Sequence, residues 1–144
     1  MEGAQQDRYE AFKWEILGDA VDEDWQGLWE PLFWARTVFA DLSEAERQTM
    51  AERALKELFA DKLIFFFKAK SEFFQGTKPP ELLDRATVDA AIAGESWRSV
   101  PLGEGSIWFG GTASGEREVR AHWPGTSTPA FRADAMRRFR PDIA

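Results

Sequence analysis

The residues able to do chemistry are few. His122 is the single histidine and cysteine is absent, so a serine–histidine–acid triad, a cysteine–histidine pair or a histidine-rich metal site can draw on one imidazole at most. "TASGE" lacks the first glycine of a nucleophile elbow. Gly103, Gly105, Gly110 and Gly111 do not fall into a dinucleotide fingerprint, and no lysine stands where a phosphate loop needs one. Asp22, Asp24, Gln26 and Gly27 match the opening ligands of a calcium-binding loop, but the closing position is Phe33, where a bidentate glutamate is required, and Pro31 breaks the loop. Glu15 and Asp19 are spaced to share one helix face, a pattern routine on solvated helices. These residues predict a non-enzyme with no cofactor and no metal.

Charge narrows the partners. Net charge is −7 over 144 residues, and its placement is uneven: residues 1–46 hold 12 acids against 3 bases, and the remainder holds 13 acids against 15 bases. An acidic N-terminal half repels a phosphate backbone, so nucleic acid is disfavoured unless bases gather on a separate face. The apolar run Leu63–Phe67 is too short to span a bilayer, and the start "MEGAQQDRYE" is acidic where a signal peptide is basic and then apolar. Together with the absence of cysteine, this predicts a soluble cytoplasmic protein with no membrane contact.

The positive signal is aromatic. Seven tryptophans and 12 phenylalanines are present, and "DEDWQGLWEPLFWARTVF" (22–39) sets three tryptophans directly behind a run of acids. Tryptophan ringed by carboxylates suits a partner that carries arginines. Trp14, Asp22, Asp24 and Trp25 are the partner-binding candidates, with Trp29 and Phe33 expected mostly buried and Trp25 less so.

These side chains must be positioned by helices. Tyr9, Phe12, Ile16, Leu17 and Ala20 form one apolar stripe and predict a helix over about 6–21, with Trp14 on its flank. Pro31 at a first helical position opens a second piece in which Leu32, Phe33, Arg36 and Phe39 line one side. Ser43 and Glu46 make a capping box, so a third helix starts there, keeps its stripe through Ala51, Ala54, Leu55 and Leu58, and runs into the strand-forming "LIFFFK". "ELLDRATVDAAIAG" reads as a helix closed by Gly94 in a left-handed cap, and "SIWFGG" as a short strand. Residues 112–123 admit two readings: Val119, Ala121 and Trp123 alternate like a strand, whereas Thr112 suits a helix cap. Thr128–Pro129 opens a final basic helix that Pro141 stops.

Three helices followed by "LIFFFK" resemble the winged-helix arrangement over residues 8–70, extending to a second wing strand at 106–110. "GLWEPLFWARTVFADLSEAERQTMAERALKELFADKLI" is also similar in layout to small uncharacterised bacterial winged-helix-like proteins. The chain departs from that pattern twice: Asp61 and Lys62 replace the usual glycine before the first wing strand, and an insertion over about 70–105 carries its own helix. The expected fold is α+β: a mostly helical, winged-helix-like domain over 1–125 with a short β-hairpin or small sheet, then a C-terminal basic amphipathic helix and tail over 126–144.

The resemblance implies a major-groove role for the third helix, where Arg47, Gln48 and Arg53 would read bases. Its predicted exposed face, however, carries four acids against three bases. The leading expectation is therefore a non-catalytic protein-interaction or regulatory module, alongside a DNA-binding regulator and an acidic immunity-type protein that neutralises a basic partner. In the tail, Phe131 and Phe139 face one way and Arg137 and Arg138 add positive charge, which predicts docking on the acidic half of its own domain or of a second copy.

Overall fold

Ser43 marks the joint around which the domain is built. Its hydroxyl accepts from the Glu46 N–H at 3.2 Å, and the Glu46 carboxylate accepts from the Ser43 N–H at 3.1 Å, the reciprocal pairing expected of a capping box. The structure is a computed structural model describing residues 3–22, 26–68, 81–94 and 107–122. Its elements are α1 (Gly3–Asp22), β1 (Gln26–Gly27), α2 (Glu30–Val38), α3 (Glu44–Ala60), β2 (Ile64–Lys68), α4 (Arg85–Ala93), β3 (Ile107–Gly111) and α5 (Ala113–His122). The fold is α+β and mostly helical, with a small antiparallel sheet. Residues 126–144, including the expected tail-docking set Phe131, Arg137, Arg138 and Phe139, lie outside the described residues.

The stripe of α1 is the core's spine. Tyr9, Phe12, Ile16, Leu17, Ala20 and Val21 are all buried, and Leu32, Ala35 and Phe39 from α2 and Ala51, Ala54, Leu55 and Leu58 from α3 close on them. Small Ala side chains on α3 let the helices approach, while Phe39 fills the space at their crossing with its ring edge-on to Phe12 at 5.2 Å.

The sheet has the order β1-β3-β2. Gln26 pairs with Phe109 and Gly27 with Trp108, while β2 runs antiparallel to β3 from Ile64↔Gly111 to Lys68↔Ile107. Ile64 and Phe66 join the main core. Phe65 and Phe67 stack on each other at 5.5 Å across the other face. An isolated bridge from Phe67 to Leu82 and the bond from Leu83 N–H to the Phe66 carbonyl occupy the remaining edge of β2. No described helix is long and apolar enough to cross a membrane.

Four expectations need correction or completion. Phe33 and Arg36 do not line the core side of α2: Pro31, Leu32 and Ala35 do. The helix begins at Glu30, which puts Pro31 at its second residue, and packing against the core selects the face of Pro31, Leu32 and Ala35. Trp29, expected mostly buried, is only half-buried. Gly94 closes α4 in an extended conformation with φ −83°, so no left-handed cap forms there. Residues 113–122 are helical: the Thr112 hydroxyl accepts from the Gly115 N–H at 3.0 Å and donates to the Lys62 carbonyl at 2.7 Å, which satisfies an otherwise unpaired helix-start donor and ties α5 to the end of α3.

That same end confirms the awkward turn expected at Asp61 and Lys62. Leu63 N–H bonds the Leu58 carbonyl and Lys62 N–H the Phe59 carbonyl, both at 3.0 Å, a Schellman closure whose left-handed residue is Lys62 with φ 62°. A side chain there is strained. Lys62→Gly is expected to raise stability by about 0.5–1 kcal/mol, read as a higher urea midpoint with an unchanged m-value.

Candidate functional site

The three side chains expected to read bases lie on α3, and each is engaged within the chain. Arg47 sits in the first turn of α3 and reaches back to the end of α2, donating from Nε to the Phe39 carbonyl at 2.8 Å and from Nη2 to the Ala40 carbonyl at 2.6 Å. Helix C-terminal carbonyls have no partner within their own helix, so this guanidinium is the clamp that fixes α2 against α3. Glu44 braces it at 3.2 Å and also accepts from Arg36 at 2.7 Å. Gln48 donates to Glu52 at 3.2 Å. Arg53 lies over the Tyr9 ring at 4.0 Å and bonds Glu57 at 2.9 Å.

Glu57 gathers this second network. The Tyr9 hydroxyl donates to it at 2.8 Å and Lys13 at 3.1 Å. Burial and then the adjacent Glu57 carboxylate push the Tyr9 phenol far above its ordinary value. For Glu57 burial acts upward, but the hydrogen bonds from Tyr9, Arg53 and Lys13 together hold the carboxyl below the ordinary value of 4.5. A depressed folded pKa means that the Glu57 contribution is complete above 4.5 and is lost as pH falls through the lower folded value. Glu57→Gln is therefore expected to lower the melting temperature at neutral pH, with the gap to the parent narrowing as the solution is acidified. A gap independent of pH would show that the charged form adds nothing.

Two of the four partner-binding candidates meet at a different place. Trp14 on α1 stacks face to face on His122 at 4.0 Å with the rings 5° apart, and Asp22 pairs with Arg120 at 2.7 Å. Both contacts come from α5, so Asp22 at the end of α1 receives an arginine from that helix. Asp24 and Trp25 lie outside the described residues. Gln26 and Gly27, the middle of the calcium-loop pattern, are paired in β1 and buried, and the Gly27 N–H bonds the Glu30 carboxylate. Among the described residues no three His, Cys, Asp or Glu side chains are grouped to hold a metal ion.

The feature that sequence reasoning missed is on α2. Phe33 is 51% exposed and its neighbour Trp34 37%. Trp29 meets the Phe33 ring edge-on at 5.3 Å, and the Arg36 guanidinium lies 5.7 Å above it. Trp29, Phe33 and Arg36 thus share one surface, with Trp34 exposed at the next position of the helix and a buried face made by Leu32 and Ala35. The signal available was Arg36 itself, a charged residue placed in a supposed core stripe. The chain matches no known protein family, no curated protein and no solved structure.

Proposed function

We propose that this chain is a small non-catalytic cytoplasmic interaction module on a winged-helix-like scaffold, and that the Phe33–Trp34 surface of α2 is its contact for a protein partner. The scaffold reading is supported by the order helix, strand, helix, helix, strand from α1 to β2 and by the first strand pairing the last in the sheet order β1-β3-β2, although α4 is inserted between β2 and β3. The observation that carries the interaction reading is the pair of adjacent solvent-facing aromatics, 51% and 37% exposed. Aromatic residues and arginine dominate the energetics of protein interfaces. Phe33 and Trp34 are held on a helix clamped at its end by Arg47, so their placement is rigid before any partner arrives. The acids of the N-terminal half favour a basic partner, and neutralisation of such a protein is one form of this role.

The scaffold also raises DNA binding through α3. Its charges argue the other way: Arg47 and Arg53 are bonded within the chain, and Glu44, Glu46 and Glu52 stand on the same helix where phosphates would approach. A direct comparison separates the two roles. Affinity capture from source lysate is run with the parent and with the Phe33→Ser/Trp34→Ser variant, beside a genomic-DNA gel shift at low and moderate salt. The interaction role predicts one dominant partner, lost in the variant at unchanged melting temperature, and no specific DNA retention. Specific, salt-sensitive retention that survives in the variant would favour the regulator instead.

A further inference from the structure

The C-terminal end of α3 forms an open groove of about 620 Å³ against α4 and the start of β2. Phe59 and Ala93 supply apolar walls, and the buried Ile64 lies beneath them. Among the described residues that line it, Lys56, Lys62 and Arg85 are the cations and Asp89 the carboxylate. Three cations against one acid leave a local charge of +2 in a chain whose net charge is −7. The Arg85–Asp89 contact is long, 3.7 Å, and its arginine side chain is 80% exposed, so it offsets little of that field.

Hydrocarbon walls under a cationic rim match one kind of ligand. We infer that this groove binds a small apolar carboxylate, an aliphatic or aryl acid whose hydrocarbon lies along Phe59, Ala60 and Ala93 and whose carboxylate meets Lys56 and Arg85. The volume falls within the range of small-ligand sites, roughly 300–1,000 Å³. A neutral amphiphile lacks the second contact, an inorganic anion lacks the first, and a cationic amphiphile is repelled. No groove residue belongs to α2, so the site goes beyond the partner surface and stands or falls independently of it.

Isothermal titration of the full chain with octanoate, octan-1-ol and octyltrimethylammonium, each below its aggregation range, tests the assignment. Octanoate should give a saturable heat, the alcohol a weaker one and the ammonium none. Lys56→Gln/Arg85→Gln should weaken octanoate by about tenfold, as two solvent-facing charge contacts allow, and leave the alcohol unchanged. Ala93→Trp, at an exposed position, should fill the groove and abolish octanoate binding. All three positions are exposed, and circular dichroism melts confirm that the variants fold. Absence of a saturable octanoate heat, equal affinity for acid and alcohol, or indifference to Ala93→Trp would each overturn the site.

Discussion

Gly115→Ala is expected to destabilise the domain by about 3 kcal/mol, the upper end for forced overpacking, and to lower the melting temperature by roughly 10 °C. A Cβ at this position would sit well inside van der Waals contact of the Leu63 carbonyl oxygen and 3.1 Å from its carbon. That oxygen already accepts the Thr112 N–H at 3.0 Å. It is backbone, held by the Schellman closure of α3 on one side and by β2 on the other, so it cannot swing away as a side-chain tip would. The first turn of α5 must therefore move off the domain, and the Thr112 hydroxyl bonds go with it. Gly111→Ala should cost less, because its Cβ meets a side-chain methyl, Val21 Cγ2 at 2.6 Å, although Val21 is itself buried. Gly3→Ala, with nothing within 4 Å, serves as the neutral control. Thermal melts that rank the three otherwise would mean that α5 does not pack on the α3 end as described.

The second large effect contrasts two phenylalanines six residues apart. Phe39→Ala is expected to cost about 3–5 kcal/mol, as for other large core aromatics, whereas Phe33→Ala should stay within about 0.5 kcal/mol of the parent. Phe39 is 0% exposed and Phe33 51%. Phe39 has its ring on Phe12 and under the Arg8 guanidinium at 5.0 Å, while its backbone carbonyl takes both Arg47 and the Leu42 N–H. Losing that ring opens a cavity where three helices meet. Chemical denaturation of both variants reads the difference directly. A large loss from Phe33→Ala would place that ring in the core and remove it from any partner surface.

The contrast also shows where the sequence was legible. Helices that carry their own punctuation could be read: Ser43 and Glu46 locate the start of α3, and the stripe from Tyr9 to Ala20 locates the buried face of α1, because both signals are local. The phase of α2 could not be read the same way. The aromatics within this nine-residue helix, Phe33 and Trp34, are exposed while Pro31, Leu32 and Ala35 are buried, so side-chain hydrophobicity points to the wrong side and only packing in the common core with α1 and α3 selects the face bearing Leu32 and Ala35. β1 is two residues long, too short to show alternation, and it exists because β3 offers an edge. In α5, Val119 and Ala121 fit a strand period as well as a helix. Thr112 decides in favour of helix through a carbonyl supplied by Lys62, fifty positions away. Of the candidate site, Trp14 and Asp22 were recognised as unusual, but their cover by His122 and Arg120 depended on that undecided helix. The reading of Arg47 and Arg53 as base contacts came from the scaffold, and their carbonyl, carboxylate and ring partners became visible only in three dimensions.

Site-specific photocrosslinking in the source cell tests the central claim most directly, with a photoreactive phenylalanine analogue placed at Trp34 in one variant and at Thr49, on the exposed face of α3, in another. A partner surface on α2 predicts a discrete protein adduct from position 34 and none from position 49. Adducts to DNA from position 49, with position 34 silent, would contradict the interaction role and return α3 to the centre of the function.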